Sequence, residues 1–203
     1  MRMMPASSDA LAEAVQVLRD GGVVAYPTDT LYGLAVDPRN ASAVERLFVL
    51  KGRHASVAIP LIAATVEQAQ TAGEFSPAHL QLARAFWPGP LTIVVPAKAS
   101  IARLLLGGSS TIAVRVPAHA VATGLAAALE GCITSTSANV SGQPAATNAE
   151  QVGSDLGDAI DIVLDGGPSP GGAASTIVEV VDGRVRLVRA GAVSWDRVLE
   201  SLK

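Results

Sequence analysis

Ser175-Thr-Ile-Val-Glu-Val-Val-Asp-Gly-Arg-Val-Arg-Leu-Val188 decides the fold class. Two β-branched runs flank Asp182-Gly183, a dipeptide that tolerates the positive φ angles a two-residue hairpin requires. The segment is therefore an antiparallel pair with no helix inside it. Leu91 to Pro96 and Thr111 to Val116 make a second pair of strands, joined by a looser Gly/Ser-containing stretch over residues 98–110. Elsewhere strands and helices alternate. A chain with both kinds of connection needs a mixed sheet with helices packed over it, an α+β class with α/β-like layers.

Outward from these strands, Leu11, Val15 and Leu18 fall at helical spacing over residues 9–20, and Gly21-Gly22 ends the segment. The N-terminal residues lead straight into that helix. Val23 to Tyr26 reads as a short buried strand closed by Pro27. Asn40 or Ser42 caps a helix carrying Val44, Leu47 and Phe48 on one side, which stops at Lys51-Gly52-Arg53. Ala58 to Ala63 reads as a strand, 65–72 as a short helix, and Ser76-Pro77 opens a helix to Trp87. Pro117 begins a helix through about Leu129, Asn148 caps another, Ile160 to Leu164 is a strand, and Ser194 starts the closing helix.

With 203 residues, 49% of them apolar and 16% charged, the chain can bury one sizeable core and reads as a single domain. A net charge of −3 argues against indiscriminate binding to a phosphate backbone, while leaving room for a small anion met by local positive charges. No apolar run is long enough to cross a bilayer, and the N-terminus lacks the apolar core of a signal peptide. The expectation is a cytoplasmic protein with no membrane partner. Cys132, the only cysteine, reads as a small core residue, and His54, His79 and His119 lack ligand spacing, so no protein-held metal is expected.

Several segments carry polar groups suited to a ligand, each with a plainer alternative. In Ile133-Thr-Ser-Thr-Ser-Ala-Asn-Val-Ser-Gly142, strand alternation puts Ser135 and Ser137 on one face with Asn139 just beyond. The alternative is a serine-rich turn bonding its own backbone. Thr28-Asp29-Thr30 sits off a strand end, where ligands bind in open sheets, or is only an Asx-type turn. Lys51 and Arg53 suit phosphate oxygens, or merely neutralise the negative end of the preceding helix. Arg115, in mid-strand, needs either a buried acidic partner or a substrate carboxylate. No Gly-x-x-x-x-Gly-Lys-Ser/Thr loop, Gly-x-Gly-x-x-Gly fingerprint or Gly-x-Ser-x-Gly elbow occurs. A nucleotide site would be assembled from distant segments.

Pro27-Thr-Asp-Thr-Leu-Tyr-Gly-Leu34, Lys51-Gly-Arg53, Trp87-Pro-Gly-Pro-Leu-Thr92, Val114-Arg-Val-Pro117, Thr136-Ser-Ala-Asn-Val-Ser-Gly142 and Ser175-Thr176 follow one another in that order. In that combination the chain resembles the YrdC family of threonylcarbamoyl-AMP synthases, from about Asp9 to Val198. The resemblance implies a twisted mixed sheet with a deep positive concavity. It implies a nucleotidyltransferase that joins L-threonine, bicarbonate or CO2, and ATP into threonylcarbamoyl-adenylate and pyrophosphate, with Mg²⁺ carried on the ATP. The product would pass to tRNA threonylcarbamoyl-transfer proteins, with at most a weak contact to tRNA itself.

Matched motif by motif, the resemblance puts Lys51, Arg53, Thr111, Ser137, Asn139 and Arg189 at the ATP, with Lys51 and Arg53 stabilising charge at the phosphates. It puts Thr30, Arg115, Ser135 and Ser175 at the threonine. The stretches 98–110 and 166–174 are candidates to close over the site by their glycine content. His54, Ala58 and Ala190 stand where many members carry proline, and Ile62 where longer members carry a histidine that meets threonine. The likeness is to the shorter form, without a further C-terminal domain. The rival readings are an RNA-binding module and a paralogue that is inactive or transfers carbamoyl groups; the intact Lys51/Arg53 and Ser137/Asn139 pairs favour activity.

Overall fold

A computed structural model describes residues 1–203. In chain order its strands are β1 (Arg2–Pro5), β2 (Val24–Tyr26), β3 (Gly33–Ala35), β4 (Leu61–Ile62), β5 (Leu91–Pro96), β6 (Thr111–Arg115), β7 (Ile133–Thr134), β8 (Thr136–Ser137), β9 (Ile162–Asp165), β10 (Thr176–Val181) and β11 (Arg184–Arg189). The helices are α1 (Ser8–Arg19), α2 (Ala41–Lys51), α3 (Val66–Ala72), α4 (Pro77–Phe86), α5 (Ala120–Leu129), α6 (Ala149–Leu156) and α7 (Trp195–Glu200).

Every helix but α5 begins where a hydrogen-bonding side chain satisfies a free backbone amide. Ser7, Asn40, Thr65, Ser76, Asn148 and Ser194 each accept from an amide of the first turn. Of the two caps the sequence offered for α2, Asn40 is the one used. Gly52 ends that helix at φ 56°, which turns the chain sharply after Lys51.

The strands divide between two mixed sheets instead of forming one. The first has the order β1-β9-β2-β3-β8, and the second β11-β10-β5-β6-β4-β7. The β10–β11 hairpin turns through Asp182 and Gly183 at φ 51° and 74°, as the dipeptide requires. β5 and β6 are antiparallel, and β10 runs parallel to β5. The reading of one continuous strand through Ser135 and Ser137 is corrected: β7 pairs with β4 in the second sheet, β8 pairs with β3 in the first, and the chain changes sheets at Ser135. Ala58 to Ala63 contributes only the two residues of β4 to the ladder. The N-terminus does not enter α1 directly, because β1 first lies parallel to β9.

Along β2 the side chains alternate between two cores. Val24 and Tyr26 join a cluster with α1 and α5, including Leu18 and Leu125, while Ala25 faces a larger cluster of 34 residues that fills the space toward β5, β6 and helices α2, α3, α4 and α6. Cys132 is in the larger cluster, in keeping with its reading as a core residue, and burial raises its thiol pKa to about 11.

The segment leading into β10 is held against the stretch after β11. A Cβ on Gly191 would stand 2.6 Å from both Ser175 C and Thr176 N. Neither backbone atom can turn away, so Gly191→Ala should cost ~1–3 kcal/mol in urea unfolding and displace Ser175.

Candidate functional site

A cavity of about 420 Å³ opens where the two sheets meet, lined by residues of both. The second sheet presents one set of strand ends: Thr92 near the start of β5, Arg115 at the end of β6, Ser175 just before β10, and Arg189 at the end of β11. The loop after β2 supplies Thr28 and Thr30. The crossing strand supplies Ser135, Thr136 and Ser137, followed by Asn139, and Arg53 enters from beyond α2. Strand ends at a change in sheet order are where backbone and side-chain polar groups lie open to a ligand.

The threonine loop is turned by a hydroxyl. Thr28 Oγ1 accepts from Thr30 N at 3.1 Å and Leu31 N at 3.2 Å, so the turn is of the Ser/Thr kind and Asp29 is free for another partner. That partner is Arg115, whose Nη1 donates to Asp29 Oδ1 at 2.7 Å, while Asp29 Oδ2 accepts from Ala118 N at 3.3 Å. The two side chains are 6% and 12% exposed. Of the two alternatives for Arg115, the structure shows the buried acidic partner, and the guanidinium also lines the cavity.

At the opposite wall of the second sheet, Thr92 Oγ1 and Ser175 Oγ share a hydrogen bond of 2.8 Å. Arg189 reaches back from the sheet edge and donates through Nη2 to Ser175 O at 2.7 Å and Ser175 Oγ at 3.2 Å. Burial and the neighbouring Arg115 charge lower the Arg189 pKa. Arg53 donates to Thr136 Oγ1 at 3.0 Å and Ala58 O at 2.9 Å, yet its Nε is buried without a partner. Its pKa is lowered by burial. Three guanidinium groups therefore line one hollow that holds no carboxylate among its lining residues, an arrangement that favours an anion.

Nine of the ten residues expected at ATP or threonine lie at this hollow or beside it. Thr30, Arg53, Arg115, Ser135, Ser137, Asn139, Ser175 and Arg189 line it. Lys51 does not; it lines a smaller adjoining cavity of about 350 Å³, and Arg53, Ser137 and Asn139 form the wall common to both. Thr111 is left out altogether. It lies at the far end of β6 from Arg115, paired with Pro96 and close to Ser109 Oγ. The structure does not bring it to the cavity.

Sequence reasoning offered Thr28 only as part of its loop, and it missed Thr92 and Thr136 as lining residues and Asp29 as the partner behind Arg115. Thr136 was hidden by strand alternation, which puts it opposite Ser135 and Ser137; the change of sheet at Ser135 brings all three to the cavity. The 166–174 stretch, a candidate to close over the site, is hydrogen-bonded to the segment after β2. Tyr32 Oη donates to Gly167 O at 2.7 Å, Ser169 Oγ to Thr28 O at 3.1 Å, and Gly171 N to Thr30 O at 3.1 Å.

The Sua5_yciO_yrdC family model, described as telomere recombination, matches residues 16–191. The chain is 46% identical to a threonylcarbamoyl-AMP synthase of Halorhodospira halophila over 156 residues, covering 75% of this chain and 81% of that protein. It is 37% identical to a threonylcarbamoyl-AMP synthase of Pyrococcus abyssi over 186 residues, 91% of this chain but only 55% of that protein. It therefore spans about half the length of the P. abyssi relative. Among solved structures, P. abyssi Sua5 complexed with L-threonine is similar at a TM-score of 0.92 and 34% identity, covering 99% of this chain and 59% of that one.

Removing Asp29 alone should be costly, because it strands a guanidinium that is nearly out of contact with water. Asp29→Ala is expected to lose ~3–5 kcal/mol in denaturant unfolding, and adding Arg115→Met should restore part of the loss.

Proposed function

Because this chain belongs to the Sua5/YciO/YrdC family, we propose that it is a threonylcarbamoyl-AMP synthase, joining L-threonine, bicarbonate or CO2, and ATP, and releasing pyrophosphate. The observation that carries the reading is a single hollow that gathers Arg115 and several hydroxyls together with Arg53, Ser137 and Asn139, the last three shared with the adjoining cavity. An amino acid and a nucleotide can then lie end to end. We take residues 1–203 as one working unit in the cytoplasm, supplying proteins that transfer the threonylcarbamoyl group to tRNA.

In this reading the threonine carboxylate meets the donors of Arg115 that Asp29 leaves free. Thr30, Ser135 and Ser175 surround the rest of the amino acid with hydroxyls that both donate and accept. The neutral threonine amine attacks CO2, forming the N–C bond of a carbamate and losing a proton. A carbamate oxygen then attacks the α-phosphorus of ATP as the bond to the pyrophosphate oxygen breaks. Arg53 and Arg189 offset charge on the phosphorus centre and the departing pyrophosphate, with Ser137 and Asn139 beside the phosphates. In this reading Mg²⁺ enters with the nucleotide substrate and offsets charge on its phosphates. Both carbamate and adenylate are lost quickly in water. The site's contribution is positioning and exclusion of solvent more than a strong base.

Pyrophosphate release should require ATP, threonine and bicarbonate together, and omission of any one should abolish it. Asn139→Ala should lower turnover by ~100-fold or more. Arg115→Ala should weaken threonine binding in calorimetry far more than ATP binding. Equal loss of both ligands would contradict the assigned carboxylate contact.

A further inference from the structure

The sequence places Lys51 among the phosphate ligands, but its surroundings occupy it elsewhere. The residue is 2% exposed, and Nζ donates to Ser137 O at 2.6 Å, Asn139 O at 2.6 Å and Asn139 Oδ1 at 2.7 Å. An ammonium has three N–H donors, so these bonds use all of them. A phosphate oxygen arriving at Nζ would displace one, leaving a buried oxygen without its donor at a cost of ~1–3 kcal/mol.

The main chain reinforces the same contact. Ser141 N donates to Lys51 O at 3.1 Å. Asn139 is also tied on its other sides, accepting from Ser137 Oγ at 2.6 Å and donating through Nδ2 to Gln143 O. The last residue of α2 therefore holds the turn from Ser137 to Ser141 through both side chain and backbone. Arg53 is different: it lines the larger cavity, and Nη1 and Nη2 each use one of their two N–H donors, on Thr136 Oγ1 and Ala58 O. Burial and the Arg53 charge bring the Lys51 pKa down to about 8, which leaves the ammonium largely protonated at neutral pH.

We propose that Lys51 is a positioning residue, which shapes the Ser137–Ser141 turn so that Ser137 and Asn139 face the cavity, and that Arg53 instead meets the phosphate charge. The identity of the anion rests on the synthase reading; the dependence of the turn on Lys51 does not. Lys51→Met keeps the apolar stem and removes every donor. In the full chain, the amides of Asn139 and Ser141 should then exchange with solvent at least about tenfold faster, while those of β5 stay unchanged.

By calorimetry, AMP and ATP should lose affinity by the same factor, because the turn carrying Ser137 and Asn139 has moved. Ethylammonium added to Lys51→Ala should restore part of both the amide protection and the affinity. Unchanged exchange, with affinity lost for ATP and pyrophosphate but kept for AMP, would make Lys51 a phosphate ligand and overturn the proposal. Should Lys51→Met fail to fold, Asn139→Ala removes one of the three acceptors, and the Ser141 amide must still exchange faster; if it does not, the proposal fails. Wild-type chain that binds neither nucleotide would remove the synthase reading and leave the exchange measurement to decide the role of Lys51.

Discussion

A strand that leaves one sheet for another must find new partners for its buried backbone groups, and the fold depends on how this is done at Ser135. Ser135 N donates to Pro60 O at 2.7 Å. Just before it, fully buried Thr134 donates its amide to Val36 O and accepts from Val36 N at 2.8 Å through its hydroxyl. Tyr26 Oη donates to Thr134 O at 3.1 Å, and burial raises its pKa to about 12, so the phenol keeps its proton. Hydroxyl side chains thus complete the hydrogen bonding that the divided ladder cannot. The sheets part at that seam, and the cavity lies in the gap.

The local charge runs against the chain as a whole. A protein with net charge −3 gathers Arg53, Arg115 and Arg189 around one hollow, with Lys51 behind its wall. Each cation is held in place by a different means. Arg115 has an acidic partner, Arg189 is held by Ser175, Lys51 is saturated by the oxygens of one turn, and Arg53 keeps an unpaired N–H. Of the four, Lys51 alone has every donor on its charged group taken up by one turn.

Much of this was legible beforehand. The helix starts at Asn40, Ser76, Asn148 and Ser194 were readable because caps are local chemistry, and the β10–β11 hairpin because two adjacent residues dictate the turn; α5, which lacks a side-chain cap, begins at Ala120 and not at Pro117. The gathering of Arg115, Ser137 and Ser175 followed from a family resemblance and not from any spacing within the chain. What escaped notice depended on distant partners. β1 is a mostly exposed Met-rich strand whose ladder is supplied by β9, far along the chain. Thr136 changed faces because the strand changed sheets. Asp29 looked like part of a turn until Arg115, from another sheet, arrived beside it.

The glycine-rich run between β9 and β10 has the composition of a hinge but is sewn at intervals to the segment after β2. Its glycines serve tight curvature: Gly167, Gly171 and Gly172 all adopt positive φ, which other residues resist. That curvature brings Gly167 O, Ser169 and Gly171 within bonding reach of Tyr32, Thr28 and Thr30. Only the run's last two residues, Ala174 and Ser175, line the hollow, so the glycines shape a brace for the segment after β2 and not the rim itself.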